Sequence, residues 1–172
     1  MENIKIVDNF LNNDDLQLLH SIISSKSWDF GQESNGNDDK IDTPFWIMKL
    51  DDDIFFSKYI KDKIEYTFKK KMNLKRVYAN GQTYGQDGSY HIDDYQENAI
   101  TFCLYIHNID NIEDIGGNLY IKVPNEKIVF SIEPMINRGV LFPSTYIHKG
   151  CAFNRYVKSM RVCIAWKLEE II

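Results

Sequence analysis

The stretch from Val77 to Asp93, Val-Tyr-Ala-Asn-Gly-Gln-Thr-Tyr-Gly-Gln-Asp-Gly-Ser-Tyr-His-Ile-Asp, decides how the chain folds. Val77 to Tyr84 reads as a strand, Gly85 to Gly88 has the composition of a turn, and the chain then runs extended into His91 and Asp93. The same punctuation continues downstream. Ile100 to His107, Asn118 to Val123, Lys127 to Ile132, Gly139 to Phe142 and Arg161 to Leu168 are short runs separated by Gly, Pro, Asn and Asp. Strands at this spacing fold as a β-sandwich or jelly roll.

Upstream the pattern is helical. Asn13, Asp14 and Asp15 offer a cap for a helix carrying Leu16, Leu18, Leu19, Ile22 and Ile23. A second helix is predicted after Asp51-Asp52-Asp53, with Ile54, Phe55, Tyr59, Ile60, Ile64 and Phe68 as its apolar stripe. Between them, Phe45 to Leu50 reads as a strand, and Gly31 to Thr43 as a polar mobile loop placed to close over a site. The expected fold class is α+β and mainly β: a double-stranded β-helix (jelly roll) with two N-terminal helices packed on one sheet. One domain is expected over residues 1–172, with a supporting part at 1–73 and the jelly-roll core at 74–172.

Bulk properties narrow the function classes. The 172 residues are 44% hydrophobic and 26% charged, as in ordinary globular proteins. A net charge of −5 argues against a nucleic-acid partner. The cations Lys69, Lys70, Lys71, Lys75 and Arg76, with Lys61 and Lys63, read as a solvated helix face and helix end. No apolar run reaches the length of a membrane span, and Met-Glu-Asn-Ile-Lys lacks the layout of a secretory signal, so a cytoplasmic protein with no membrane partner is expected. Cys103, Cys151 and Cys163 show no CxxC spacing, which argues against a disulfide framework or a cysteine zinc site.

The chemistry lies in His91 and Asp93. Residues two apart on an extended segment share a face, so an imidazole and a carboxylate can aim at one point. His148 follows the strand Gly139 to Phe142 and the turn Pro143-Ser144, where an antiparallel partner would bring it back to complete a metal site. Two histidines and one carboxylate leave three positions open, as non-haem Fe(II) oxygenases need, although zinc hydrolases use such ligands too. His107 and His20 read as structural, and Asp94 and Asp87 as neighbours of the site at most.

An ordered set of motifs surrounds this pair: His91-Ile92-Asp93, the strand Ile100 to Tyr105, Gly116-Gly117-Asn118-Leu119-Tyr120-Ile121, and His148 followed by Ser159 to Trp166. From Arg76 to Lys167 the chain resembles the 2-oxoglutarate/Fe(II) dioxygenase superfamily, and within it the prolyl 4-hydroxylase-like branch. The resemblance implies Fe(II) held by His91, Asp93 and His148, with 2-oxoglutarate as cosubstrate, O₂ as oxidant and ascorbate as a stimulant.

It also implies a cation for the far carboxylate of 2-oxoglutarate. Arg161 is the leading candidate, Lys158 its rival and Arg155 a third, because thirteen positions separate His148 from Arg161, more than the family usually shows. Tyr84 and Tyr105 are candidate hydroxyl donors to the same carboxylate. The presence of Asp93 implies hydroxylation rather than halogenation. The implied reaction is hydroxylation of an unactivated C–H bond, with a prolyl residue of a peptide or protein as the leading substrate. A free amino acid or nucleobase, or a non-catalytic binding module, is the alternative. Trp46, Tyr78, Tyr84 and Tyr120 are candidates to line a peptide groove.

Overall fold

The computed structural model describes residues 3–34, 42–107, 109 and 114–171. Its strands are β1 (Lys5–Val7), β2 (Asp29–Gln32), β3 (Phe45–Lys49), β4 (Met72–Gln82), β5 (Ala99–Tyr105), β6 (Leu119–Lys122), β7 (Val129–Ile132), β8 (Gly139–Pro143), β9 (Ile147–Gly150) and β10 (Arg161–Glu170). They form a seven-stranded sheet in the order β1-β8-β5-β10-β4-β3-β2 and a three-stranded sheet in the order β7-β6-β9. This is the jelly roll with helices on one sheet that the strand spacing predicts.

Alternation along β10 sets the layers. Ile164, Trp166 and Leu168 point to the helical side, and Arg161, Cys163, Ala165 and Lys167 point between the sheets. Helix α1 (Asn13–Ser25) starts where the Asn12 side chain accepts the Asp15 N–H at 2.8 Å, one residue ahead of the predicted cap. Helix α2 (Lys61–Phe68) is preceded by π-helical turns at Phe55–Ile60 and ends at Lys69 in the left-handed region. Leu19, Phe56, Ile60 and Ile64 pack these helices onto Met48, Phe102, Ile164 and Trp166. The Trp166 indole N–H donates to the Phe56 carbonyl at 2.9 Å, which satisfies the polar atom of a fully buried side chain.

A second core cluster sits between the sheets and contains Cys103, Tyr105, Leu119, Ile121, Phe142 and Ala165. The residues before β4 do not stand apart from the sheet, since β1 pairs with β8 and β3 pairs with β4. No helix among the described residues is long and apolar enough to cross a membrane.

Three strands were not legible as such: β1, β2 and β9. Strand β2 takes Gly31 and Gln32 out of the predicted loop. Phe30 opposes Trp46 with ring centroids 5.0 Å apart, and the register shifts at Gly31, whose φ of 115° suits glycine. Residues 35–41 of the predicted closing loop lie outside the described residues. The cation cluster is mostly engaged in ion pairs: Lys63 with Asp15, Lys61 with Glu65, Lys70 with Glu170 and Lys75 with Asp94. Lys75 and Arg76 depart from the helix-end reading and lie on β4.

Candidate metal centre

His91 and His148 face each other through an isolated antiparallel bridge. The His91 N–H donates to the His148 carbonyl at 3.0 Å, and the His148 N–H donates back at 2.9 Å. His148 lies on β9 opposite Ile121 of β6, so its backbone is fixed on both sides. Asp93 sits two residues past His91. One ligand atom from each of the three residues falls within 4.8 Å of the others.

Hydrogen bonds settle the tautomers. His91 Nδ1 lies 2.9 Å from the Ser89 carbonyl, and His148 Nδ1 lies 2.8 Å from the Tyr146 carbonyl. A carbonyl only accepts, so each Nδ1 carries a proton and Nε2 is the ring nitrogen left to face a metal. The two Nε2 atoms lie 3.4 and 3.2 Å from the Asp93 carboxylate. Burial lowers the pKa of His148 and outweighs the attraction of Asp93, which keeps the ring neutral. Burial alone would raise the Asp93 pKa, but the Lys167 ammonium beside it holds it well below the usual carboxylate range. Neutral imidazoles and an ionised carboxylate are the protonation states a metal requires.

Lys167 and Thr101 were not singled out in the sequence, and both grip Asp93. The Lys167 ammonium contacts Asp93 Oδ2, and Thr101 Oγ1 donates to the same oxygen at 2.6 Å, with Ser144 Oγ 2.9 Å behind it. Burial pulls the Lys167 pKa down, but Tyr78 and Asp93 raise it above the ordinary lysine value, so the cation persists. Alternation from Arg161 through Cys163 and Ala165 was the signal that placed Lys167 on this face.

The triad opens on a cavity of about 150 Å³ between the sheets. Arg161 lies in its wall, 3% exposed. Its Nε donates to the Gly117 carbonyl at 2.7 Å and its Nη1 to Gln82 Oε1 at 2.8 Å, while its guanidinium stands 5.1 Å from the centre of the Tyr105 ring. No carboxylate among the described residues pairs with it. Two further buried polar atoms of the wall, the Tyr105 hydroxyl and Asn80 Oδ1, have no hydrogen-bond partner among the described residues. A buried cation held by neutral groups beside an orphaned hydroxyl fits a carboxylate ligand, because such groups are costly until paired.

The remaining candidates lie elsewhere. Tyr84 is 67% exposed and outside the cavity wall; it belongs to the turn after β4 rather than to the strand. Lys158 and Arg155 are exposed in the connection before β10, and no residue from 151 to 160 lines the cavity. His107 is buried against the Pro134 carbonyl and the Phe153 ring. Asp87 accepts the Ala152 N–H at 2.7 Å, and Asp94 pairs with Lys75 at 3.0 Å. Of the groove candidates, Tyr78 lines the cavity, while Trp46 and Tyr120 do not.

A family profile described as the 2OG-Fe(II) oxygenase superfamily matches residues 76–166. Among solved structures, a prolyl hydroxylase from Trichoplax adhaerens, in complex with a hypoxia inducible factor oxygen degradation domain peptide fragment, is similar at a TM-score of 0.72. It is 19% identical, over 98% of this chain and 84% of that one. A Pseudomonas putida prolyl-4-hydroxylase is similar at 0.70, with 14% identity over 99% and 94% of the two chains. The alpha ketoglutarate dependent epimerase SnoN, from nogalamycin biosynthesis, is similar at 0.68, with 9% identity over 96% and 77%. No curated protein matches in sequence. Because the profile runs over more than half of its length, the chain belongs to the 2OG-Fe(II) oxygenase superfamily, enzymes that use Fe(II), 2-oxoglutarate and O₂.

Proposed function

We propose that this oxygenase hydroxylates an unactivated C–H bond, with a prolyl residue of a peptide or protein as the leading substrate. In this reading His91, Asp93 and His148 hold the iron, and Arg161 with Tyr105 anchors 2-oxoglutarate. The observation that carries it is the opening of the histidine–aspartate cluster and of a carboxylate-free buried arginine onto one cavity. The prolyl assignment draws its support from the fold likeness to two prolyl hydroxylases. An epimerase shares the fold, so the substrate rests on this proposal and not on the fold.

Fe(II), 2-oxoglutarate and O₂ supply the oxidation, in which one oxygen atom enters the substrate C–H bond and the other leaves in succinate as CO₂ is lost. The chain's residues prepare the place. Asp93 stays ionised with Oδ2 occupied by Lys167 and Thr101, which leaves Oδ1 the less engaged oxygen for a metal. His91 and His148 offer Nε2 because their Nδ1 protons are committed to backbone carbonyls. Arg161 turns a planar fork toward the cavity, where it can grip a carboxylate in two parallel hydrogen bonds. Tyr105 donates its free hydroxyl to the same carboxylate. The cavity is smaller than the roughly 300–1,000 Å³ of pockets for drug-sized ligands, so a peptide would meet the metal at the mouth.

The experiment is anaerobic addition of Fe(II) and 2-oxoglutarate, followed by air and a proline-containing peptide. A weak visible charge-transfer band, then succinate and a peptide heavier by one oxygen atom, are expected. A colourless and inert mixture refutes the oxygenase site. Succinate without peptide oxidation in a broad panel refutes the prolyl substrate alone.

A further inference from the structure

The cavity has a second cationic end, of which the reaction described above uses only Lys167, to hold Asp93. Across the large sheet, Arg76 of β4 directly opposes Lys167, Tyr78 opposes Ala165, and Lys49 of β3 opposes Tyr78. Opposed residues of an antiparallel pair point to the same face. Lys167, Tyr78 and Arg76 therefore line the cavity with Lys49 beside them at the exposed edge. The Arg76 guanidinium stands 5.0 Å from the centre of the Tyr78 ring, and the Lys167 ammonium stands 5.8 Å from it. Arg76 and Lys49 have no carboxylate partner within 4.0 Å among the described residues, whereas most lysines near α2 do. Of the carboxylates in the cavity wall, Asp93 is already held by Lys167, and Glu33 follows β2 at the Arg161 end.

Charge then points to the substrate. Fe(II) and doubly ionised 2-oxoglutarate cancel one another, and Asp93 offsets one of the two buried cations, Arg161 and Lys167. Among the buried groups one positive charge remains; at the exposed rim Arg76 and Lys49 add to it at the Lys167 end, while Glu33 lies at the Arg161 end. A wall of this kind is costly to desolvate unless an anion comes with the ligand that covers it. We propose that the substrate carries a carboxylate close to the carbon that is oxidised, and that Lys167, Arg76 and Lys49 receive it around Tyr78. The inference rests on the oxygenase-site reading above. The carboxylate has two possible sources, an Asp or Glu side chain flanking the target residue of a peptide, or a free amino acid. A nucleic-acid phosphate is disfavoured by the net charge of −5 and by the confinement of the cations to one end of a cavity.

The test loads the protein with Mn(II), which occupies an Fe(II) site without turnover, and with 2-oxoglutarate. Calorimetry then measures three sets of probes: proline-containing peptides with Asp or Asn beside the proline, free aspartate and glutamate against their amides, and a single-stranded oligonucleotide. The acidic member of a pair should bind about tenfold more tightly than its amide, the set that shows this naming the source. Arg76→Gln combined with Lys49→Gln, both at exposed positions, should shrink the preference below about threefold while Mn(II) and 2-oxoglutarate still bind. Equal affinity for acid and amide, no acidic probe bound at millimolar concentration, a preference surviving the double substitution, or tighter binding of the oligonucleotide would each overturn the proposal. Failure of the wild-type protein to bind Mn(II) and 2-oxoglutarate would instead take down the site reading, and this inference with it.

Discussion

At one end of the inward face of β10, Arg161 is held by the Gly117 carbonyl, the Gln82 amide oxygen and the Tyr105 ring, none of them charged. At the other end, six residues on, Lys167 is held by Asp93. Both cations are nearly buried, at 3% and 8% exposure, yet among the described residues only Lys167 has a carboxylate paired with it. A buried ion without an opposite charge is costly, and neutral hydrogen bonds offset only part of that cost. In the reading proposed above, the Arg161 end gains an anion, and the Lys167 end keeps the carboxylate offered to the metal ionised and oriented. Glycine helps the first: a Cβ on Gly150 would meet the Arg161 guanidinium at 3.2 Å, so the missing side chain leaves it room.

The sharpest way to break this division is at the metal. His148→Ala should weaken Mn(II) binding, read by electron paramagnetic resonance, by more than the roughly 10–100-fold typical of losing a partner behind a ligand. Binding within a few-fold of wild type would show that the cluster does not hold the metal. Next in size is Arg161→Gln. Removing one partner of a buried charge pair costs about 2 kcal/mol or more, so the Kd for 2-oxoglutarate should rise roughly 30-fold, with Mn(II) affinity nearly unchanged. A loss of metal affinity equal to the loss of 2-oxoglutarate would mean that the two ends are not separate.

Most of the large sheet was legible because its strands are either apolar throughout or alternate cleanly. Strand β5 is buried along its whole length between β8 and β10, and reads as an apolar run broken only by Thr101. Period-two spacing was enough to pair His91 with Asp93. Strands β2 and β9 left weaker traces: β2 is exposed along its length and carries a glycine bulge, and β9 has only four residues and one fully buried side chain. Lys167 escaped notice because a lysine near the end of an apolar run looks like the place where a strand meets solvent. Its burial depends on Asp93, seventy-four positions earlier in the chain, and no local pattern encodes that pairing.

A smaller effect sharpens the role of Tyr105. Its hydroxyl is buried without a partner, and burial above all pushes its pKa well up, so it remains a neutral donor. Tyr105→Phe should raise the Kd for 2-oxoglutarate about tenfold, the loss of one hydrogen bond to a charged group. The melting temperature of the protein without ligand should hold or rise, because the substitution removes an unsatisfied polar atom and no contact. A fall in stability together with unchanged 2-oxoglutarate binding would assign the tyrosine to the core instead.

The smallest expected effects belong to Lys158→Ala and Tyr84→Phe, and they test the choice of anchor. Both side chains are exposed and outside the cavity wall, so each substitution should leave the Kd for 2-oxoglutarate within about twofold of wild type. The contrast with Arg161 depends on burial, since a carboxylate gripped in water gains little from a cation that is already solvated. A tenfold weakening from Lys158→Ala would require the 151–160 connection to fold inward when the ligand binds, and would move the anchor from a rigid strand to a loop.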